Sequence, residues 1–101
     1  MNNKNLKLIR NQIDDIDESI LIALAKRREL AVNIGEIKRE KRIPILDIHR
    51  WNEILRSRQT RAVELGISEE LVRKIYELIH EDSINIQTNR PNSFQLRDKK
   101  N

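Results

Sequence analysis

Cysteine is absent from this 101-residue chain, which excludes a disulfide scaffold and any thiolate chemistry. Histidine is scarce: His49 and His80 stand 31 positions apart, too few and too distant for a His-built metal site, so no metal and no cofactor is expected. Glycine and proline occur only twice each, so few positions can break a helix. No apolar run approaches the roughly 18 residues that a membrane span needs. No signal-peptide pattern opens the sequence, and a cytoplasmic protein without a membrane partner is expected. What remains is one small domain's length of chain with 36% charged and 38% hydrophobic residues.

The net charge of +4 resembles a nucleic-acid signal until it is divided by position. Residues 1–7 and 89–101 together hold six basic groups and one acidic group, while residues 8–88 hold 14 basic and 15 acidic groups. A nucleic-acid binder needs a concentrated basic face on its folded body, because phosphate neutralisation supplies most of the affinity. The body here is nearly neutral, and no nucleic-acid partner is expected.

Leu6, Ile9, Ile13, Ile16, Ile20, Ala23, Arg27, Leu30, Ile34, Ile37 and Lys41 follow a strict alternation of three and four, a helical seam five heptads long. One helix from about residue 5 to about 41 is predicted, roughly 55 Å in length. Its basic end, Lys38, Arg39, Lys41 and Arg42, suits the negative pole of the helix dipole. Pro44 breaks the pattern, and Asp47 is placed to cap a second helix over about 48–64 with a stripe of Ile48, Trp51, Ile54, Leu55, Arg58 and Ala62. Gly66 ends it. Ser68 can cap a third helix whose first turn carries Glu69 and Glu70 and whose apolar face runs from Leu71 to Ile86. Residues 1–88 form the expected helical domain, and 89–101, without periodicity, the expected disordered basic tail.

Three helices of such unequal length cannot close a core alone. The long one offers apolar seam beyond what two short partners can cover, so the expected fold is all-α, an intertwined homodimeric helical bundle. Within the seam, Arg27 is out of place, since a buried charge demands a counter-charge. Lys38 lies eleven residues further, only about 20° around the axis and roughly 16 Å away, so a small polyanion fits between the two. Ser83 and Gln87, four apart on the third helix, can offer a hydroxyl and an amide to one ligand. Arg10 can join them only from a second copy. Taken singly these residues have plain structural explanations. Arg27 can pair with a carboxylate across the dimer, Lys38 can end its helix in solvent, and Gly35 can serve close helix packing. Taken together they describe a cationic, amide-bearing cleft. Such a cleft can act by positioning a dianion and stabilising an oxygen that gains charge.

The stretch RRELAVNIGEIK at 27–38, with IRNQIDDIDESILIALAKR before it, IPILDIHR at 43–50 and EDSINIQ at 81–87, resembles the all-helical class of chorismate mutase. These enzymes convert chorismate to prephenate on the way to phenylalanine and tyrosine. The resemblance covers about residues 6–88. It implies an intertwined dimer with two equivalent sites, each completed by an arginine of the other copy. It further implies that Arg10 and Arg27 clamp the two substrate carboxylates with help from Ser83, and that Lys38 and Gln87 are the catalytic donors to the ether oxygen. Asp47 and Arg50 would lie near the ring hydroxyl.

Two departures bear on specificity. Where the family's pattern continues with a glutamate after Asp-x-x-Arg, this chain has Trp51, and His80 stands at a place usually apolar and lining the pocket. Trp51 either turns into the core with Ile54 and Leu55 or reshapes the pocket, and His80 either faces solvent or adds a polar group. Isochorismate pyruvate lyase and 4-amino-4-deoxychorismate mutase chemistry are therefore alternatives on the same scaffold. A further alternative is a non-catalytic helical regulatory dimer, supported only by the charge of the tail.

Overall fold

Each predicted period becomes a helix. The computed structural model describes residues 3–89, which form α1 (Asn3–Lys41), α2 (Ile48–Leu65) and α3 (Glu69–Thr88), with no strand among the described residues. The expected basic tail lies outside the described residues except for Asn89, which closes α3 by donating its backbone N–H to the Asn85 carbonyl.

The chain divides into two compact units, residues 1–30 and residues 31–101. The first is the amino-terminal part of α1. Its seam residues Leu6, Ile9, Ile13, Ile16 and Ile20 are between 42% and 59% exposed, while Leu24 and Arg27 are half-buried. An apolar stripe of this length left in water is unfavourable by about 25 cal/mol for each Å² that a partner could cover.

The second unit holds the end of α1, the connector, α2 and α3. α2 and α3 pack along one another as a helical hairpin. Its start and turn follow from the residues already singled out. Asp47 accepts the Arg50 backbone N–H at 3.0 Å, and Ser68 accepts that of Leu71 at 3.1 Å. Gly66, at φ 73°, supplies the left-handed residue of a closing motif in which the N–H of Ile67 reaches the Ala62 carbonyl at 2.8 Å. Early in α3, the Arg73 guanidinium beside Glu70 holds that carboxyl below the usual carboxylate range.

The same closing motif ends α1 without a glycine. The N–H of Ile43 reaches the Lys38 carbonyl at 2.8 Å and that of Arg42 reaches Arg39, with Arg42 itself at φ 57°. Arg42 thus stands just past the last residue of α1, whose final turn carries Lys38, Arg39 and Lys41. Among the described residues few are buried: Ala31, Ile54 and Ala62 of the apolar ones, together with Gly35 and the polar Gln87.

Candidate active site

The site residues expected from the sequence fall in both units. Arg10, in the first, is exposed; Arg27, near the end of that unit, is half-buried. The others lie in the second unit: Lys38 near the end of α1, Asp47, Arg50 and Trp51 at the start of α2, and His80, Ser83 and Gln87 on α3, whose end meets that of α1.

That meeting is set by Gly35. A Cβ built on it would stand 2.9 Å from the Gln87 Cα and 3.1 Å from the Gln87 carbonyl oxygen, closer than side chain and backbone tolerate. Glycine here serves close approach, as its helical context suggested. Gln87 is consequently only 7% exposed, and its Oε1 is buried without a hydrogen-bond partner. Ser83, one turn earlier on α3, is half-buried on the same face.

Lys38 follows Gly35 by three residues, so both face the same side of α1. Its Nζ donates to the Ile45 carbonyl at 2.6 Å, which fixes the ammonium against the connector. A lysine free in solvent at a helix end is thereby replaced by one held in place. The neighbouring Arg39 donates through Nη1 to the Gln87 carbonyl at 3.0 Å and to the Asn89 carbonyl at 3.4 Å. Neither the Ile45 carbonyl nor Arg39 was legible in the sequence. Both partners are non-local or backbone groups, which periodicity does not mark. The only available signal was indirect: α3 has no basic residue in its last turn, so its carbonyl end had to find a cation elsewhere.

At the start of α2, the Asp47 carboxylate is occupied as a helix cap, and Arg50 pairs with Glu53 at 2.6 Å on the exposed surface. Trp51 is half-buried and packs on an aromatic neighbour from α3. Its ring stacks on His80 with centroids 4.0 Å apart and planes inclined by 17°, both residues half-buried. His80 thus packs against an indole while remaining half-buried, and the pair joins α2 to α3.

A cleft of about 440 Å³ opens elsewhere in the hairpin, between Arg58, Arg61, Leu65, Ile67 and Tyr76, with the Arg58 guanidinium 5.6 Å from the Tyr76 ring centre. None of the expected site residues lines it. Among the described residues no cluster of His, Asp and Glu has the arrangement to hold a metal ion, and no helix is long and apolar enough to cross a membrane.

Comparison with known proteins adds an independent line. The model of the family described as chorismate mutase type II matches residues 9–88. A chorismate mutase of Methanocaldococcus jannaschii is 32% identical over 97 residues, covering 96% of this chain and 98% of that protein. A bifunctional chorismate mutase/prephenate dehydratase of Escherichia coli is 36% identical over 83 residues, covering 78% of this chain and 20% of the relative. The chain thus spans about a fifth of the length of such bifunctional relatives. A solved structure, a conserved hypothetical protein from Pyrococcus furiosus, is 42% identical with a TM-score of 0.67, covering 85% of this chain and 99% of that one.

Proposed function

The chain belongs to the chorismate mutase type II family, and from that membership we propose that it rearranges chorismate to prephenate in a site shared between two copies. One observation carries the reading: the junction of α1 and α3 places a buried amide, Gln87, on the same side of α1 as the anchored ammonium of Lys38. In the rearrangement the ether C–O bond breaks as a C–C bond forms, and no proton is transferred. What a protein can supply is therefore confinement of the reactive conformer and donors aimed at the ether oxygen as its charge grows. Lys38 and Gln87 take that role. Arg27 and, from the second copy, Arg10 hold the two carboxylates, and Ser83 assists one of them.

The second copy is supported by the apolar surface. Twenty large apolar side chains among the described residues are at least 42% exposed, including the seam of residues 3–30. An intertwined homodimer covers them and brings Arg10 to the other site.

At the ring end Trp51, stacked on His80, stands where the family pattern implies a carboxylate acceptor. That substitution favours comparing chorismate with isochorismate and 4-amino-4-deoxychorismate in parallel assays of the full chain. Chorismate is expected to be consumed, with prephenate as product. Lys38→Ala is expected to lower kcat by ~100-fold or more, the usual loss for one donor to a developing oxyanion, while the dimer stays folded. A protein that turns over none of the three compounds is a helical dimer without catalysis, and unchanged turnover in Lys38→Ala removes the role given to that lysine.

A further inference from the structure

The role proposed for Gln87 requires its amide to be held to a fraction of an ångström, yet Gln87 lies in the last turn of α3, one residue before its end. Last turns fray, because the final four carbonyls of a helix lack partners inside it. A glutamine side chain also has three freely turning bonds. Something outside α3 has to fix both its backbone and its lateral position.

Two residues of α1 meet those needs. Gly35 removes the side chain that would stand 2.9 Å from the Gln87 Cα, so α3 closes on α1 by backbone contact and Gln87 cannot shift toward the glycine. Arg39, one helical turn on, donates to the Gln87 and Asn89 carbonyls. Both carbonyls belong to the unpaired set at the negative end of the α3 dipole. A guanidinium there makes charge-assisted bonds that a helix with no basic residue in its own last turn cannot make for itself. The buried Oε1 without a partner shows that no hydrogen bond to that oxygen orients the Gln87 amide. The fixed backbone and the close wall at Gly35 therefore limit where the amide can point.

We propose that Gly35 and Arg39 are positioning residues for Gln87: the glycine sets how near the last turn of α3 comes to α1, and the arginine ties off the carbonyls of that turn so that the amide keeps one orientation. This rests on the reading of Gln87 as a donor to substrate. Neither residue touches substrate in this account, and each acts on the rate only through Gln87. The consequence is a split in kinetic behaviour. Loosening the last turn weakens an interaction made in the transition state and leaves the carboxylate clamp alone, so kcat falls and KM does not.

The test uses full-length protein carrying Arg39→Met, Arg39→Lys, Gln87→Ala and the Arg39→Met/Gln87→Ala pair, assayed on chorismate. Arg39→Met is expected to lower kcat by ~10-fold, with KM within ~2-fold of the parent. Arg39→Lys restores most of the loss, because one ammonium still reaches the Gln87 carbonyl. In the Gln87→Ala background Arg39→Met changes kcat no further, since the group it positions is gone. Carbonyl carbon-13 labelling of glutamine gives a readout apart from turnover: the Gln87 signal moves upfield in Arg39→Met while helix content is unchanged. Gly35→Ala, if folded by the same criterion, lowers kcat in the same manner. Parent-like kcat in Arg39→Met, an equal fall with Gln87 already removed, or an unmoved Gln87 carbonyl signal overturns the positioning role. If Gln87→Ala itself keeps the parent's kcat, the donor reading falls and the positioning role with it. Loss in Gln87→Ala without loss in Arg39→Met removes the positioning role alone.

Discussion

Gln87 is neutral at every ordinary pH, so its capacity to donate does not titrate. A carboxyl in its place would behave otherwise. At 7% exposure the charged form is poorly solvated, which raises the carboxyl's pKa, and only the protonated form can donate to an ether oxygen. Gln87→Glu is therefore expected to work best in acid, with kcat falling as pH rises through the raised pKa, whereas the parent's kcat stays flat across that range. Side-by-side pH profiles check this, and a Gln87→Glu profile as flat as the parent's removes Gln87 from the ether oxygen. At this scale the sequence was only partly legible. Gln87, Ser83 and Lys38 stood out by their places on helical faces. The Trp51–His80 stack did not, because it joins residues 29 positions apart on two helices whose mutual register no local pattern states. Arg39 was hidden for the same reason, its carbonyl partners lying 48 and 50 residues away.

Element by element the agreement is closer, because helix ends are written in local chemistry. Asp47, Ser68 and Gly66 each perform the capping role their residue type favours, and α1, α2 and α3 begin and end within two residues of the expected limits. Arg42 is the exception. It occupies a left-handed position that glycine fills at the end of α2, and an L side chain there costs about 1–2 kcal/mol. Part of that is offset by the greater unfolded-state freedom of glycine. Arg42→Gly is expected to stabilise the protein by roughly 0.5–1 kcal/mol, read as a higher Tm at fixed protein concentration, with kcat unaltered. A lower Tm means that the arginine side chain contributes more than its backbone costs.

For the whole molecule the governing quantity is the apolar seam. Where a second copy covers that seam, as proposed, stability comes partly from association and melting depends on concentration. Tm is expected to rise with protein concentration, and Ile16→Asp, placing a charge in the middle of the seam, to weaken the dimer by about 2 kcal/mol or more. Sedimentation equilibrium decides this: a folded parent monomer at micromolar concentration removes the shared site. The expectation of a second copy rests on length arithmetic, a helix of 39 residues having two companions of only 18 and 20. A smaller feature reaches as far. Because the connector's Ile45 oxygen grips the Lys38 ammonium, the link between α1 and α2 is a measuring rod as well as a tether. Adding one residue after Pro44 barely alters closure entropy, at a few tenths of a kcal/mol, yet it swings that oxygen away from the lysine. Turnover should suffer where melting does not, so a stretch of surface chain ordinarily tolerant of insertions is here fixed in length.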